Sequence, residues 1–220
     1  MLITLCVFCS STFAVSTETP LTTVRVLEYI DKTGKSYNVV VRRLLVNNIS
    51  YLVEQISKSS KENEKDFEYL SNIETRDTGE TINNPQKDPM KYWSEAHIPT
   101  LVLLYGEVYE IGNSTAANST IFIGSLPSWG DSLHKINRFR VPLDLQLNSF
   151  DNLANSHSYI TAYALLLDAI RRDEPVHVQS ALVNACNQIS DRLKADLYWT
   201  AELNDVALTV DTISKHLRGL

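Results

Sequence analysis

The spacing of apolar residues changes along the chain, and this change limits the folds open to it. Between residues 22 and 56, β-branched and aromatic side chains occur in short runs separated by turn residues such as Gly34. After about residue 148 the apolar residues recur every three or four positions, as at Ile160, Tyr163 and Leu167. The sequence therefore predicts an α+β fold, with a mostly antiparallel sheet in the N-terminal half and a helical region in the C-terminal half.

Individual elements follow from the same patterns. Three strands forming a meander are predicted at residues 24–30, 36–46 and 49–56, followed by a loop at 57–66. Residues 71–100 are rich in Asn, Thr, Asp and Gly and are predicted to be a long loop or an insertion. The remaining predictions are a strand or hairpin at 101–111, a polar loop at 112–119, helices at 150–155, 158–172 and 175–202, and a short strand at 206–209.

The N-terminal residues are typical of a secretion signal. Residues 1–16 are apolar and end in small side chains, although the usual positive charge before the apolar stretch is missing. A buried first strand is the alternative interpretation. No later segment is long and apolar enough to span a membrane. We therefore expect a secreted, monomeric chain with a signal peptide at 1–16 and a single domain at 17–220.

Cysteine usage does not indicate a disulfide framework. Cys6 and Cys9 lie within the predicted signal, so its removal leaves Cys186 alone. Cys186 shares a helical face with Leu182 and Ile189, which predicts a small buried core residue.

Three sequons could carry glycans in a glycosylating host: they begin at Asn48, Asn113 and Asn118. In a regular strand, Asn48 and Tyr51 would face opposite sides, because the side chains of a strand alternate. A glycan on Asn48 is then expected to leave the face of Tyr51 open.

The charge of the chain excludes nucleic-acid binding by bulk attraction alone, since the formal net charge is −6. Pairs of basic residues occur at positions 42–43, 138/140 and 171–172. Such pairs are usually solvated surface charges, and a locally positive face is the alternative.

General catalytic motifs are missing from the sequence. The five histidines have no metal-ligand spacing, and neither a phosphate-binding glycine loop nor a Gly-x-Ser-x-Gly elbow occurs, so no metal or cofactor is predicted. Asp191 and Lys194 stand three residues apart on a predicted helix and therefore share a face. Taken alone, such a pair is typical of a surface salt bridge.

Four collinear stretches nevertheless resemble the ribosome-inactivating proteins, the RNA N-glycosylase family of ricin, pokeweed antiviral protein and Shiga toxin. The stretches are Asn-Asn-Ile-Ser-Tyr-Leu-Val at 47–53, residues 137–139 with 148–153, the helix at 165–170, and Ile-Ser-Asp-Arg-Leu-Lys at 189–194. The last falls where the family has Ile-x-x-Glu-Ala-x-Arg. The likeness covers about two-thirds of the chain, and the tail at 207–211 also resembles the family's segment after its active helix.

The resemblance implies a fold like that of the ribosome-inactivating proteins and a set of site residues. By position, Tyr51 and Phe150 correspond to the two adenine-stacking tyrosines, Asp191 to the catalytic glutamate and Lys194 to the catalytic arginine. The family's active-site tryptophan has no counterpart near Ile213. The implied partner is an adenine in a ribosomal RNA loop, with no lectin chain in this sequence to promote cell entry.

Such an enzyme stacks the adenine between two aromatic rings and stabilises an oxocarbenium-like ribose with a carboxylate. Asp191 holds its carboxylate one methylene further back than glutamate would, and such a misplacement costs about 10²-fold in rate. Lys194 lacks the planar fork of arginine. These departures predict a weak N-glycosylase.

Two alternatives remain at this stage. The chain could be a catalytically inactive secreted relative, a binding glycoprotein that takes RNA or a carbohydrate. It could also be an unrelated secreted glycoprotein domain in which Asp191 and Lys194 form only a surface salt bridge.

Overall fold

The structure is a computed structural model that describes residues 22–59, 73–77, 80–81, 89, 91–92, 95, 100–112, 114–124, 138–144, 149–195 and 201–219. The described strands are β1 (Thr22–Val26), β2 (Ile30–Asp31), β3 (Ile73–Asp77), β4 (Thr100–Ile111), β5 (Ser114–Gly124) and β6 (Arg138–Asp144). The described helices are α1 (Tyr37–Ser59), α2 (Ser149–Arg171), α3 (Val176–Ala195) and α4 (Ala201–Arg218). The predicted signal at 1–16 lies outside the described residues.

The strands form one mixed sheet in the order β3-β1-β4-β5-β6, with β2 also paired to β4. β1 is parallel to both of its neighbours, β3 and β4, whereas β4, β5 and β6 are successively antiparallel. Since the described part of the chain combines this sheet with four helices, the α+β class is confirmed. The predicted N-terminal antiparallel meander is wrong, because β1 meets only parallel partners.

Helix α1 replaces the strands predicted at residues 36–46 and 49–56. Valines at 39–41 and 46 favour strands locally, but tertiary packing decides this segment. Its buried side chains recur at three- and four-residue spacing: Val41, Leu45, Ile49, Leu52 and Ile56. The predicted loop at 57–66 is wrong at its start, since the helix continues to Ser59.

The carboxylate of Asp31 fixes the start of α1. It accepts hydrogen bonds from the Thr33 amide and hydroxyl, both at 2.7 Å, and from the Tyr37 amide at 3.0 Å. A carboxylate at this position satisfies an otherwise unpaired amide and interacts favourably with the positive end of the helix dipole.

Three further predictions need correction. The segment 71–100, predicted to be a loop, contains strand β3. Most of the predicted polar loop at 112–119 belongs to strand β5, which begins at Ser114 and pairs there with Ile111 of β4. Gly112, between these two strands, has the positive φ of 60° that a tight hairpin turn requires. The strand predicted at 206–209 lies within α4, where Leu203, Val206 and Val210 form a buried helical stripe. In addition, the predicted helices at 150–155 and 158–172 are one helix, α2. Of the helix predicted at 175–202, α3 covers Val176–Ala195, and residues 196–200 lie outside the described part of the chain.

Helix α2 is the centre of the fold. It is buried around almost its whole circumference from Leu153 to Ala169, between the sheet on one side and the other helices on the other. A helix without a polar face is typical of such an interior position. One core therefore joins the sheet and all four helices, while Leu27, Leu103, Tyr105 and Phe122 form a smaller cluster on the opposite face of the sheet.

Two buried polar clusters attach α2 to the sheet. In the first, Asp168 is 1% exposed and accepts hydrogen bonds from Thr22 of β1 (2.7 Å), Arg171 (2.6 Å) and Arg172 (3.0 Å). The side chains of these two arginines are only 14% and 17% exposed. The prediction that residues 171–172 are solvated surface charge is therefore wrong, because both neutralise an interior carboxylate.

In the second cluster, His157 connects α2 to β5 through Tyr29. The His157 Nδ1–H donates to the Leu153 carbonyl at 2.6 Å, and Nε2 accepts from the Tyr29 hydroxyl at 3.4 Å. The Tyr29 hydroxyl also lies 2.9 Å from the Ser119 hydroxyl. Burial lowers the pKa of His157 to about 4, although the bond to the Leu153 carbonyl acts in the opposite direction. The ring is therefore neutral at neutral pH.

Candidate functional site

A groove of about 860 Å³ runs between α1 and α3, and α2 closes its base. Its walls are formed by successive turns of α1 and α3. The residues that line it are Asn48, Tyr51, Leu52, Gln55 and Ile56 of α1, Asn155 and Ser158 of α2, and Val176, His177, Ser180, Ala181, Asn184, Ala185, Gln188, Ile189 and Arg192 of α3.

The wall from α1 is one face of that helix. Asn48, Tyr51 and Gln55 are spaced by three and four residues, so their side chains stand one above another. Leu52 and Ile56 are buried below them. Tyr51 is 60% exposed and so presents an aromatic ring to the open groove.

The wall from α3 is polar above a buried apolar seam. Pro175 precedes the first residue of this helix, where its missing N–H costs nothing, and its carbonyl accepts from the Val178 amide at 2.9 Å. The opposite face of α3 packs Val178, Leu182, Cys186 and Leu193 into the core. Small side chains at Ser180, Ala181 and Ala185 keep the centre of the groove open.

The chemistry of the lining is dominated by carboxamides. Five of the lining residues are Asn or Gln: Asn48, Gln55, Asn155, Asn184 and Gln188. Each carboxamide can donate two hydrogen bonds and accept two. Among the described lining residues none is Asp or Glu, and Arg192 supplies a permanent positive charge. The groove can therefore hold a ligand with many hydrogen-bonding groups.

The sequon residue Asn48 belongs to this groove. Its Nδ2 donates to the Leu44 carbonyl at 2.9 Å, and the side chain is half-buried. The expectation that Asn48 and Tyr51 face opposite sides is wrong, because a separation of three residues places them on the same face of a helix. A glycan on Asn48 would enter the groove. Of the other two sequon residues, Asn113 lies outside the described residues, and Asn118 lies in β5 between Glu107 of β4 and Pro142 of β6.

The four predicted site residues do not all lie in the groove. Tyr51 lies in the groove, but on a helix and not on the predicted strand. Asp191 and Lys194 are exposed on α3 and are not among the residues that line the groove. Phe150 lies in the first turn of α2, and its side chain is outside the described part of the chain.

Within residues 189–194, Ile189 and Arg192 line the groove, and Arg192 lies between the two predicted catalytic positions. Sequence reasoning did not assign Arg192 to the site, and it missed the carboxamides. A signal was present: His177, Asn184, Gln188 and Arg192 recur at helical spacing on the side of α3 away from its buried seam.

Among the described residues there is neither an exposed thiol nor a cluster of side chains placed to bind a metal ion. Cys186 is buried, as predicted, and burial raises the pKa of its thiol, so the reactive thiolate is disfavoured. In the described ranges, no group of three or more His, Cys, Asp and Glu side chains is placed to hold a metal ion. Among the described helices, none has the length and apolarity needed to cross a membrane.

Comparison with known proteins identifies no family. No protein-family model matches the chain, and no curated protein matches it. Among solved structures, the chain has a likeness to the PelC L103M dodecamer from Paraburkholderia phytofirmans, at 11% identity and a TM-score of 0.24. This alignment covers 48% of the present chain and 61% of that chain. A likeness of this size carries no argument about fold or function.

Proposed function

We propose that this chain is a binding protein whose α1–α3 groove holds an oligosaccharide. The observation that carries the proposal is the lining itself: five carboxamides and an exposed tyrosine ring, with no carboxylate among the described lining residues. The volume of about 860 Å³ is in the range typical of small-ligand sites.

The hydroxyls and the apolar face of a sugar match the carboxamides and the aromatic ring of this lining. Each hydroxyl of a sugar both donates and accepts hydrogen bonds, and a carboxamide offers both functions from one rigid plane. The ring of Tyr51 can cover the apolar C–H face of a sugar and contribute contact area at a low entropic cost. Because a polar group that a bound ligand shields from water needs a new partner, five carboxamides favour a ligand that brings several hydroxyls.

A polynucleotide fits the same lining less well. Binding along a phosphate backbone depends on several Lys or Arg side chains. The described lining contains one, Arg192, in a chain with a formal net charge of −6.

The proposal is tested by presenting the purified chain to an array of oligosaccharides and measuring the affinity for those retained by calorimetry. We expect Tyr51→Ala to weaken binding about tenfold, which corresponds to the loss of about 1.4 kcal/mol of ring contacts. Val40→Ala is the matched control, because Val40 is an exposed apolar residue of the same helix outside the groove. Retention of no glycan, or equal affinities for the wild type and Tyr51→Ala, would refute the proposal.

A weak RNA N-glycosylase, as the resemblance to ribosome-inactivating proteins implies, is a second proposal. The observation that favours it is that Tyr51, the implied adenine-stacking ring, and Arg192, a cation, line the same groove. The acid would have to be Asp191, exposed on the adjoining face of α3. Release of adenine from ribosomes by the purified chain, and its loss in Asp191→Ala, are the expected results. Release that persists unchanged in Asp191→Ala would exclude this mechanism.

Both proposals include secretion of the chain. The basis for secretion is the signal predicted at residues 1–16. Sequencing the N-terminus of the protein recovered from the culture medium of a secreting host should give a start near residue 17. Retention of the chain inside the cells would contradict it.

A further inference from the structure

A second hollow adjoins the groove on the other side of α3. It measures about 340 Å³ and lies between α3 and the C-terminal part of α4. Ser180, Val183, Asn184 and Asn187 line it from α3, and Ser214, Leu217 and Arg218 line it from α4.

The two hollows share Ser180 and Asn184, so they meet along one ridge of α3. These residues are four apart and therefore stand one above the other on the helix. Both offer short polar side chains, a hydroxyl and a carboxamide, to each hollow. A chain-like ligand in the groove can thus cross α3 at this ridge and continue onto α4 while keeping its hydrogen-bonding groups paired.

The charge of the combined surface is opposite in sign to that of the whole chain. The sequence has 26 acidic and 20 basic residues. Among the described residues that line either hollow, none is acidic, whereas Arg192 lines the groove and Arg218 lines the second hollow. The Nε of Arg218 donates to the Ser214 carbonyl at 3.2 Å, which positions its guanidinium on the last turn of α4.

We infer that the groove and the second hollow form one extended site for an acidic oligosaccharide, a sugar chain that carries carboxylate or sulfate groups. This inference rests on the proposed oligosaccharide function and specifies its ligand. Arg192 and Arg218 contact anionic groups in the two parts of the site, where the planar guanidinium can pair with a carboxylate or sulfate through two parallel hydrogen bonds. Ser180 and Asn184 contact the hydroxyls of the sugar between them.

The test compares acidic glycans with neutral counterparts of the same sugars. Probes are a heparin hexasaccharide, a galacturonic acid hexamer and the methyl ester of that hexamer, with a wider array of acidic and neutral glycans. We expect acidic glycans to bind best and their neutral counterparts to bind at least tenfold more weakly. Affinity for the acidic ligand should fall as NaCl is raised, because exposed charges are screened.

Variants separate the two parts of the site. Arg218→Gln should weaken binding of the acidic ligand about tenfold and weaken binding of the neutral methyl ester by a clearly smaller factor. Arg43→Gln is the control, since Arg43 is an exposed cation on α1 that lines neither hollow. An Arg218→Gln variant as strong as wild type toward the acidic ligand would overturn the extended site.

The outcomes also distinguish this inference from the proposed function. If neutral glycans bind as tightly as acidic ones and Tyr51→Ala weakens both, the groove binds sugars but the acidic ligand is wrong. If no glycan of either kind binds, the proposed function itself has failed. Preference for single-stranded RNA over every glycan would overturn both.

Discussion

Acidification should destabilise the folded protein through His157, and the size of the effect follows from the burial of this residue. The imidazole is buried between α2 and the sheet, and its pKa is lowered from 6.5 to about 4. Below pH 6.5 the unfolded chain therefore binds a proton that the folded chain excludes, so stability falls as the pH falls. The loss ends near the folded pKa, because both states are protonated below it.

The magnitude follows from the difference between the two pKa values. At about 1.36 kcal/mol for each pH unit of difference, the folded state loses about 2 kcal/mol by pH 5 and about 3 kcal/mol by pH 4. The total stability of a domain is typically about 5–15 kcal/mol, so the change is readily measured.

Urea denaturation from pH 7.5 to 4 measures this loss. His157→Gln is the informative variant, because a carboxamide can still donate to the Leu153 carbonyl and accept from the Tyr29 hydroxyl but does not titrate. We expect its free energy of unfolding to fall less than that of the wild type over this range, by about 3 kcal/mol at pH 4. His216→Gln, which removes an exposed imidazole from α4, keeps His157 and should retain the steep dependence. Parallel curves for wild type and His157→Gln would refute the reasoning.

Three further outcomes are expected. Asp168→Ala should lower the free energy of unfolding in urea by about 3–5 kcal/mol, because it leaves two mostly buried guanidinium groups without their carboxylate. The control Asp211→Asn, in an exposed pair with a lysine, should lower it by no more than about 1 kcal/mol. A small loss for Asp168→Ala would contradict this account of the cluster. Cys186 should resist iodoacetamide in the folded chain and react in urea, as followed by peptide mass spectrometry, and rapid native labelling would show that it is accessible. In a glycosylating host, Ser50→Ala removes the Asn48 sequon while keeping Asn48 itself; if the wild type carries a glycan there, the variant should bind groove ligands more tightly, and equal affinities would mean that the glycan leaves the groove open.

Helices α2 and α3 were predictable because their burial pattern and their local propensity agree, whereas part of α4 was predicted to be a strand. Along α2 and α3 the apolar residues recur at helical spacing, and Pro175 marks the boundary between the two helices. Sequence and structure differ most at α1, where valines favour a strand by propensity. The spacing of Val41, Leu45 and Ile49 indicated a helix, and burial of that stripe against the core outweighs the local preference.

The candidate site was only partly predictable, because a groove between helices is a property of their packing. Tyr51 lines the groove, although on a helix and not on the predicted strand, and the carboxamides around it carry no sequence motif. Within residues 189–194, only the helix rotation decides which side chain meets α1. That rotation directs Arg192 into the groove and leaves Asp191 and Lys194 outside its lining.

The central position of β1 has a consequence for how the chain reaches its native state. β1 lies between β3 and β4, so Thr22 must meet Ile73 on one side and Thr100 on the other. Such long sequence separations raise the contact order and slow folding. The chain loses the entropy of closing a large loop before the strand pairing can stabilise it. During synthesis the first strand emerges well before either partner, and its apolar residues remain uncovered for that interval. The β4–β5 hairpin, closed by a tight turn, can form locally and then serve as the edge that β1 joins.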